Sequence, residues 1–150
     1  MNLVMFMYKK RLKELREEKE VKQKELANLL GIKENTYSEY EIEYKIIPIK
    51  HLNTLCNYFN VSIDYIFDLT NFRSYPNCNN KINKNLMKIR LKELRKKHQL
   101  TQVKLANTIN VAPSTISDYE REENVIATPF LYDICKKYHI SADYLLGKIN

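Results

Sequence analysis

The chain is 150 residues long, with 25 lysines and arginines against 18 aspartates and glutamates and a formal net charge of +7. That length accommodates one ordinary domain or two very small ones, and it excludes a barrel enzyme or a dinucleotide-binding fold with a substrate domain. Apolar residues make up 44%, enough for a core, and two glycines with four prolines disfavour turn-rich β architectures. Composition favours helices, and the charge is compatible with a polyanionic partner or with solubility alone.

The first element along the chain is an apolar extension at residues 1–6. It is expected to pack on a folded unit or on a partner chain; the alternative is that translation starts at Met5 or Met7. The apolar run at residues 3–8 is too short to span a bilayer, and positive charges follow it, unlike a signal peptide. We therefore expect no membrane association.

An internal repeat organises the rest of the chain. Residues 11–71 align without gaps on residues 90–150, an offset of 79, with about 21 identities in 61 positions. The identities begin with Arg11-Leu12-Lys13-Glu14-Leu15-Arg16 and its copy at residues 90–95. We predict an N-terminal domain at residues 1–70, a polar linker at 71–85 and a C-terminal domain at 86–150. A flexible linker of this length spans roughly 23 Å.

Apolar residues at three- and four-residue spacing predict five short helices in each copy. In the first copy they lie near residues 8–19, 22–30, 34–42, 48–59 and 62–68, and they recur 79 residues later. Residues suited to helix ends agree with these bounds. They are the N-caps Ser62, Thr101 and Ser141, the left-handed C-cap residues Gly31 and Asn110, and Pro113 at a first helical position.

The second and third helices of each copy carry the most informative pattern. A small alanine (Ala27 or Ala106) lets two helices cross closely, and a three-residue turn follows it. Tyr37 and Tyr40 are predicted to point inward, as are Ile116 and Tyr119, leaving short polar side chains on the outer face. Such a helix is suited to entering the major groove of DNA.

These stretches resemble the Cro/cI/Xre helix-turn-helix family of phage and bacterial repressors. The shared motifs are Gln-x-x-Leu-Ala, Thr-x-Ser-x-Tyr-Glu and the later Ser-x-Asp-Tyr, and the resemblance covers about 120 residues in two copies. It implies an all-α fold of two tandem five-helix, lambda-repressor-like domains. It also implies that Arg16 pairs with Glu41, and Arg95 with Glu120, to hold the first helix on the third.

The resemblance implies a set of DNA-contacting residues in each copy. In the first copy the set is Gln23, Lys24, Lys33, Glu34, Asn35, Thr36, Ser38 and Glu39; in the second it is Gln102, Lys104, Pro113, Ser114, Thr115, Ser117, Asp118 and Arg121. The glutamines and cations would hold phosphates, Asn35 would pair with adenine, and the hydroxyls would contact bases or thymine methyls.

The sequence departs from the family pattern at a few positions. Lys22 replaces the usual N-cap hydroxyl, and Glu43 and Glu122 stand where a glycine commonly follows the third helix. The net charge is also uneven: residues 1–70 hold 11 cations and 11 anions, whereas 86–150 hold 11 cations and seven anions. Since phosphate neutralisation supplies much of DNA affinity, the C-terminal domain is predicted to be the better DNA binder.

These observations predict a DNA-binding transcriptional regulator, a repressor, acting in the cytoplasm without cofactors. The alternative is a protein-interaction module, antitoxin-like or inhibitory, in which the acidic N-terminal domain binds a protein. The two third helices differ, which predicts an asymmetric site, and homodimerisation stays open. Cys56, Cys78 and Cys135 form no close pair, and no catalytic constellation or metal-ligand spacing is visible, so we expect no enzyme activity and no metal.

Overall fold

A computed structural model of the chain describes residues 7–150. These residues are all-helical, which confirms the predicted fold class, and they form ten α-helices. The chain divides into two compact units, an N-terminal unit that ends at Tyr75 and a C-terminal unit that spans Pro76–Asn150. The apolar extension at residues 1–6 lies outside the described residues. In the described part of the chain, no helix has the length and apolar character needed to cross a membrane.

Each unit contains the five helices that the repeat predicted. The N-terminal unit has α1 (Lys9–Glu18), α2 (Gln23–Leu30), α3 (Glu34–Glu41), α4 (Ile49–Phe59) and α5 (Ile63–Ile66). The C-terminal unit has α6 (Lys84–Lys97), α7 (Gln102–Thr108), α8 (Pro113–Glu120), α9 (Thr128–Tyr138) and α10 (Ala142–Leu145). Most bounds agree with the prediction within about two residues, the ordinary uncertainty of a helix end. Helix α6 is the exception.

Helix α6 begins inside the segment that was predicted to be a linker. The side chain of Asn83 accepts a hydrogen bond from the Leu86 backbone N–H, so Asn83 is the N-cap of this helix. The capped helix gains a turn relative to α1, which has no side-chain cap at Tyr8.

Most of the other predicted helix ends are confirmed, although the C-cap of α7 is Ile109 and Asn110, with the expected left-handed backbone, follows it. Ser62, Thr101 and Ser141 each accept a backbone hydrogen bond at the start of a helix. Gly31 has the left-handed φ of +68°, and Pro113 is at the first turn of α8. Lys22 precedes α2 without a side-chain cap, as the missing hydroxyl predicted.

The core of each unit is built from the repeated apolar positions. Leu12, Leu26 and Leu52 are buried in the N-terminal unit, with Leu91, Leu105 and Leu131 at the same places in the C-terminal unit. Cys56 and Cys135 are buried at matching positions as free thiols.

An arginine in the first helix of each unit closes the fifth helix onto the first. Arg11 donates from its guanidinium to the carbonyls of Tyr65 and Thr70, and its Cζ lies 4.2 Å from the centre of the Tyr65 ring. Arg90 contacts the Tyr144 carbonyl and ring in the same way, with 4.0 Å between Cζ and the ring centre. This anchor is part of the repeat, although no motif of the sequence indicates the contact separately.

The two glutamates that replace the expected glycine both have a left-handed backbone. Glu43 has φ +58° and Glu122 has φ +63°, a conformation that favours glycine. The Glu43 carboxylate accepts hydrogen bonds of 2.8 Å from the backbone N–H groups of Tyr8 and Lys9, at the start of α1. Glu122 forms an ion pair with Lys88, 3.0 Å apart, on α6. Each glutamate thus joins the loop after the third helix to the first helix.

Segments on either side of Pro76 pack on their own units. In the N-terminal unit, the Ser62 N–H donates to the Arg73 carbonyl at 2.7 Å. In the C-terminal unit, the Asn79 N–H donates to the Lys148 carbonyl at 2.7 Å, and the Asn83 N–H donates to the Leu146 carbonyl at 2.9 Å. The segment predicted as a polar linker therefore contributes contacts to both units.

Two glycines with left-handed backbones allow a matched prediction about stability. A Cβ at Gly31 meets open space, whereas a Cβ at Gly147 lies 2.7 Å from Asn83 Cβ and 2.9 Å from Leu86 Cβ. We expect Gly31→Ala to lower the free energy of unfolding of the N-terminal unit by about 1 kcal/mol through backbone strain alone. Gly147→Ala adds a clash and is expected to cost the C-terminal unit about 3 kcal/mol.

Hydrogen-exchange mass spectrometry measures this difference, because it reports the protection of each unit separately. Equal losses of protection in the two variants would contradict the predicted clash at Gly147.

Candidate nucleic-acid interface

The second and third helices of each unit cross at a buried alanine. Ala27 is 1% exposed and Ala106 is 0% exposed, and each alanine carbonyl accepts the N–H of the residue five positions later, at 3.0 Å. The Ile32 N–H donates to the Ala27 carbonyl, and the Val111 N–H donates to the Ala106 carbonyl. These bonds close the turn between the helices and fix the angle at which the third helix leaves the unit.

The inward side of α3 and α8 is apolar and aromatic, as predicted. Tyr37 and Ile116 are fully buried, and Tyr40 and Tyr119 are nearly so. Burial raises the pKa of the Tyr37 hydroxyl, so this ring stays neutral in the core. The opposite side of each helix is therefore free to face a ligand.

The predicted DNA-contacting residues are accessible in both units. In the N-terminal unit Lys24, Lys33, Glu34 and Asn35 are exposed, and Gln23, Thr36, Ser38 and Glu39 are partly exposed. In the C-terminal unit Lys104, Pro113, Ser114 and Arg121 are exposed, and Gln102, Thr115, Ser117 and Asp118 are partly exposed. In each unit they come from the start of the second helix and the outer side of the third, the two elements that the crossing joins.

A buried ion pair joins the first and third helices of the N-terminal unit. The Glu41 side chain is 3% exposed, and it accepts hydrogen bonds of 2.8 Å from Arg16 Nε and from Arg16 Nη2. The hydrogen bonds to Glu41 raise the pKa of Arg16. Arg16 also donates to the Val21 carbonyl, which is in the turn before α2. One guanidinium on α1 thus contacts both α3 and the turn before α2.

The equivalent pair in the C-terminal unit has an additional donor. Arg95 Nη2 is 2.8 Å from Glu120 Oε1, and Arg95 Nη1 donates to the Leu100 carbonyl. Gln102, at the first residue of α7, donates its side-chain amide to Glu120 Oε2 at 3.2 Å. A residue predicted to contact DNA is therefore oriented by the same buried carboxylate that holds α8.

At the carboxyl end of α8, three of the predicted DNA-contacting residues form one surface network. Arg121 donates to Ser117 Oγ at 2.8 Å and to Asp118 Oδ1 at 2.7 Å. It also donates to Glu123 at 3.0 Å, and this hydrogen bond lowers the pKa of Glu123. The charge of Arg121 is thus shared with two carboxylates, which the sequence motif did not indicate.

The N-terminal unit has a different surface at the same place. Glu39 pairs with Lys45 at 2.8 Å, and this contact raises the pKa of Lys45. Ile42 and Tyr44 replace Arg121 and Glu123, and they are 55% and 76% exposed. Of the two third-helix surfaces, that of the N-terminal unit is the more acidic and the more apolar.

Together, the two crossing helices, the polar outer side of the third helix and the buried arginine–glutamate pair define a helix-turn-helix protein with two copies of the motif. The helix-turn-helix sequence profile matches residues 12–66 and 91–145, which is more than half of the chain. The chain belongs to the Cro/cI/Xre-type helix-turn-helix family, as its motifs indicated.

Three curated proteins are similar to part of the chain. The uncharacterised HTH-type transcriptional regulator YobD of Bacillus subtilis is 39% identical over 64 residues, which are 43% of this chain and 57% of YobD. The HTH-type transcriptional regulator ImmR of the same organism is 41% identical over 59 residues, 39% of this chain and 46% of ImmR. Antitoxin PezA of Streptococcus pneumoniae is 31% identical over 58 residues, 39% of this chain and 37% of PezA.

The chain thus spans roughly half the length of these relatives, or less. No solved structure gives a significant match.

The Arg121 network leads to a prediction about DNA affinity. We expect Glu123→Gln to raise the affinity of the full chain for duplex DNA about threefold to tenfold at low salt, because Arg121 loses one of its carboxylate partners. Fluorescence anisotropy titration measures this change. Glu93→Gln, which removes the same charge from the exposed side of α6, is the matched control.

The same substitution in an Arg121→Ala background tests the cause. If Glu123→Gln has an equal effect with and without Arg121, the guanidinium is not the group that the carboxylate restrains.

Proposed function

We propose that this chain is a sequence-specific, double-stranded DNA-binding regulator of transcription, acting as a repressor in the cytoplasm. The observation that supports this most is the repeated third helix, which presents short polar side chains outward while a buried arginine–glutamate pair holds it in place. An α-helix of this kind fits the major groove, where its side chains reach base edges. The similarity to two transcriptional regulators agrees with this function.

The C-terminal unit is proposed to supply most of the affinity. Its third helix exposes Ser114 and partly exposes Thr115 and Ser117, so these hydroxyl groups are accessible to a DNA ligand. Residues 86–150 also carry four more cations than anions, whereas residues 1–70 are neutral. Since phosphate contacts provide much of the binding free energy and position the protein, this charge difference favours the C-terminal unit.

The N-terminal unit supports a second candidate function, that of a protein-interaction module. Its third-helix region carries Glu34 and Glu39, and the loop after α3 exposes the apolar side chains of Ile42, Tyr44 and Ile46. Apolar side chains grouped on a surface are typical of contacts with proteins rather than with phosphates. The similarity to an antitoxin agrees with this alternative.

Salt dependence distinguishes DNA binding from protein binding. If the chain neutralises about four phosphates, its affinity for mixed-sequence duplex DNA falls roughly 100-fold between 50 and 200 mM salt. Anisotropy titrations at several salt concentrations measure the slope of log K against log salt. Absence of measurable binding, or binding with no slope, would contradict the proposed function.

A pair of double variants tests which unit dominates. We predict that Ser114→Ala with Ser117→Ala weakens binding to a selected operator about tenfold or more, since each lost base contact costs roughly 1 kcal/mol. The matched change in the other unit, Asn35→Ala with Ser38→Ala, is expected to have a smaller effect. An operator obtained by selection from random duplexes provides the DNA, and equal losses would mean that both units contribute alike.

A further inference from the structure

The positive charge of the C-terminal unit is concentrated on one helix outside the helix-turn-helix motif. Helix α6 carries seven cations and one anion, Glu93. The part of the unit that follows this helix, residues 98–150, carries five cations and six anions. The motif itself, residues 102–123, carries two cations and four anions. The charge excess that favours this unit as the DNA binder therefore does not come from its motif.

Four of the α6 cations are lysines that recur at every fourth residue. In a helix, residues four apart are neighbours, about 6 Å apart along the axis, so these lysines form a row about 18 Å long. Arg90 and Arg95 have the internal partners described above. Lys97 and Glu93 are neighbours on a different side of the helix, about 100° or more from Lys92. We call the row the α6 lysine stripe, and its members are Lys84, Lys88, Lys92 and Lys96.

The protein neutralises only one member of the α6 lysine stripe. Lys88 pairs with Glu122 at 3.0 Å, whereas the other three lysines form no ion pair within the described part of the chain. Lys84 and Lys96 are exposed, and Lys92 is partly exposed. Like charges four residues apart repel each other, and a cation at the first residue of a helix opposes the helix dipole. The stripe thus has an electrostatic cost that a bound polyanion would remove.

The first helix of the N-terminal unit lacks this stripe. Helix α1 begins at Lys9, the counterpart of Lys88, so it does not include the first turn of α6. The counterpart of Lys96 is Glu17, which pairs with Lys13 at 3.9 Å. Since both units have the same five helices, the fold does not require the stripe, and its charge is available for a ligand.

The stripe lies beside the third helix of its own unit. The pair between Lys88 and Glu122 connects it to the loop after α8, where Arg121 is one of the predicted DNA-contacting residues. Seven residues after Lys88, on the same side of α6, Arg95 contacts Glu120 at the end of α8. The lysines therefore adjoin the helix that is proposed to enter the major groove.

We propose that the α6 lysine stripe binds the phosphate backbone of the duplex that α8 contacts, and that it supplies most of the electrostatic affinity of the C-terminal unit. This inference rests on the proposed DNA-binding function and adds a contact outside the motif. Duplex DNA carries one charge per about 1.7 Å of its axis, so a row of lysines about 18 Å long can neutralise several phosphates. Within the motif, Arg121 is already shared with Asp118 and Glu123.

A double variant of the full-length chain, Lys92→Gln with Lys96→Gln, tests this contact. The helix is retained, since glutamine and lysine have similar helix propensities. We expect the affinity for duplex DNA at 50 mM salt to fall about tenfold or more. If the parent chain neutralises about four phosphates, the slope of log K against log salt changes from about −3.6 to about −1.8. The matched control, Lys136→Gln with Lys137→Gln, removes the same charge from two exposed lysines of α9 and is expected to keep the parental slope.

The sequence dependence of the loss provides a second readout. Phosphate contacts carry no sequence information, so the double variant is expected to lose affinity for a selected operator and for mixed-sequence duplex by the same factor. An unchanged slope, an equal change of slope in the control variant, or a loss confined to the operator would each overturn the proposal. So would intact DNA binding together with lost binding to phosphatidylserine vesicles, which would assign the stripe to an anionic membrane surface.

The parent chain keeps the two proposals distinguishable. If it binds no duplex DNA at any salt concentration, the proposed function fails and this inference fails with it. If it binds with a clear salt slope that the double variant does not alter, the proposed function stands and only the role of the α6 lysine stripe is overturned.

Discussion

One buried arginine–glutamate pair in each unit fixes the position of the third helix. The Glu41 and Glu120 side chains are 3% and 2% exposed, and each carboxylate accepts hydrogen bonds from the arginine of the first helix. Glu120 also accepts one from Gln102. Breaking such a pair costs about 3–5 kcal/mol, since an unpaired charge is left in the core. Because the same arginine also contacts the turn before the second helix, the whole motif is set in one arrangement. This arrangement directs the polar side chains of the third helix outward.

Around this shared scaffold the two units have diverged at their surfaces. The end of the third helix has an acidic and apolar character in the N-terminal unit, whereas the C-terminal unit holds an arginine between carboxylates there. On the other side, a glutamate in the N-terminal unit binds the following segment, and a lysine replaces it in the C-terminal unit. Substitutions at exposed positions leave the core unchanged, so one fold carries two different surfaces.

Much of the local structure was predictable, and the long-range contacts were not. The spacing of apolar residues and the repeat located all five helices of each unit, and the caps at Ser62, Thr101 and Ser141 were evident from residue type. By contrast, Arg11 contacts the Thr70 carbonyl across 59 positions, and Arg73 contacts Glu18 across 55. No periodicity reports such contacts, because they depend on how helices that are distant in sequence pack together.

In the candidate interface too, some features were predictable from the sequence and others were not. Residue type and spacing are enough to identify the repeat, the all-α class, the family and the polar side chains on the third helices. The folded structure was needed to show that Gln102 is held by Glu120, that Arg121 is shared between Asp118 and Glu123, and that Glu43 and Glu122 have left-handed backbones. The physical reason is that a polar side chain takes the partner that folding brings within hydrogen-bond distance.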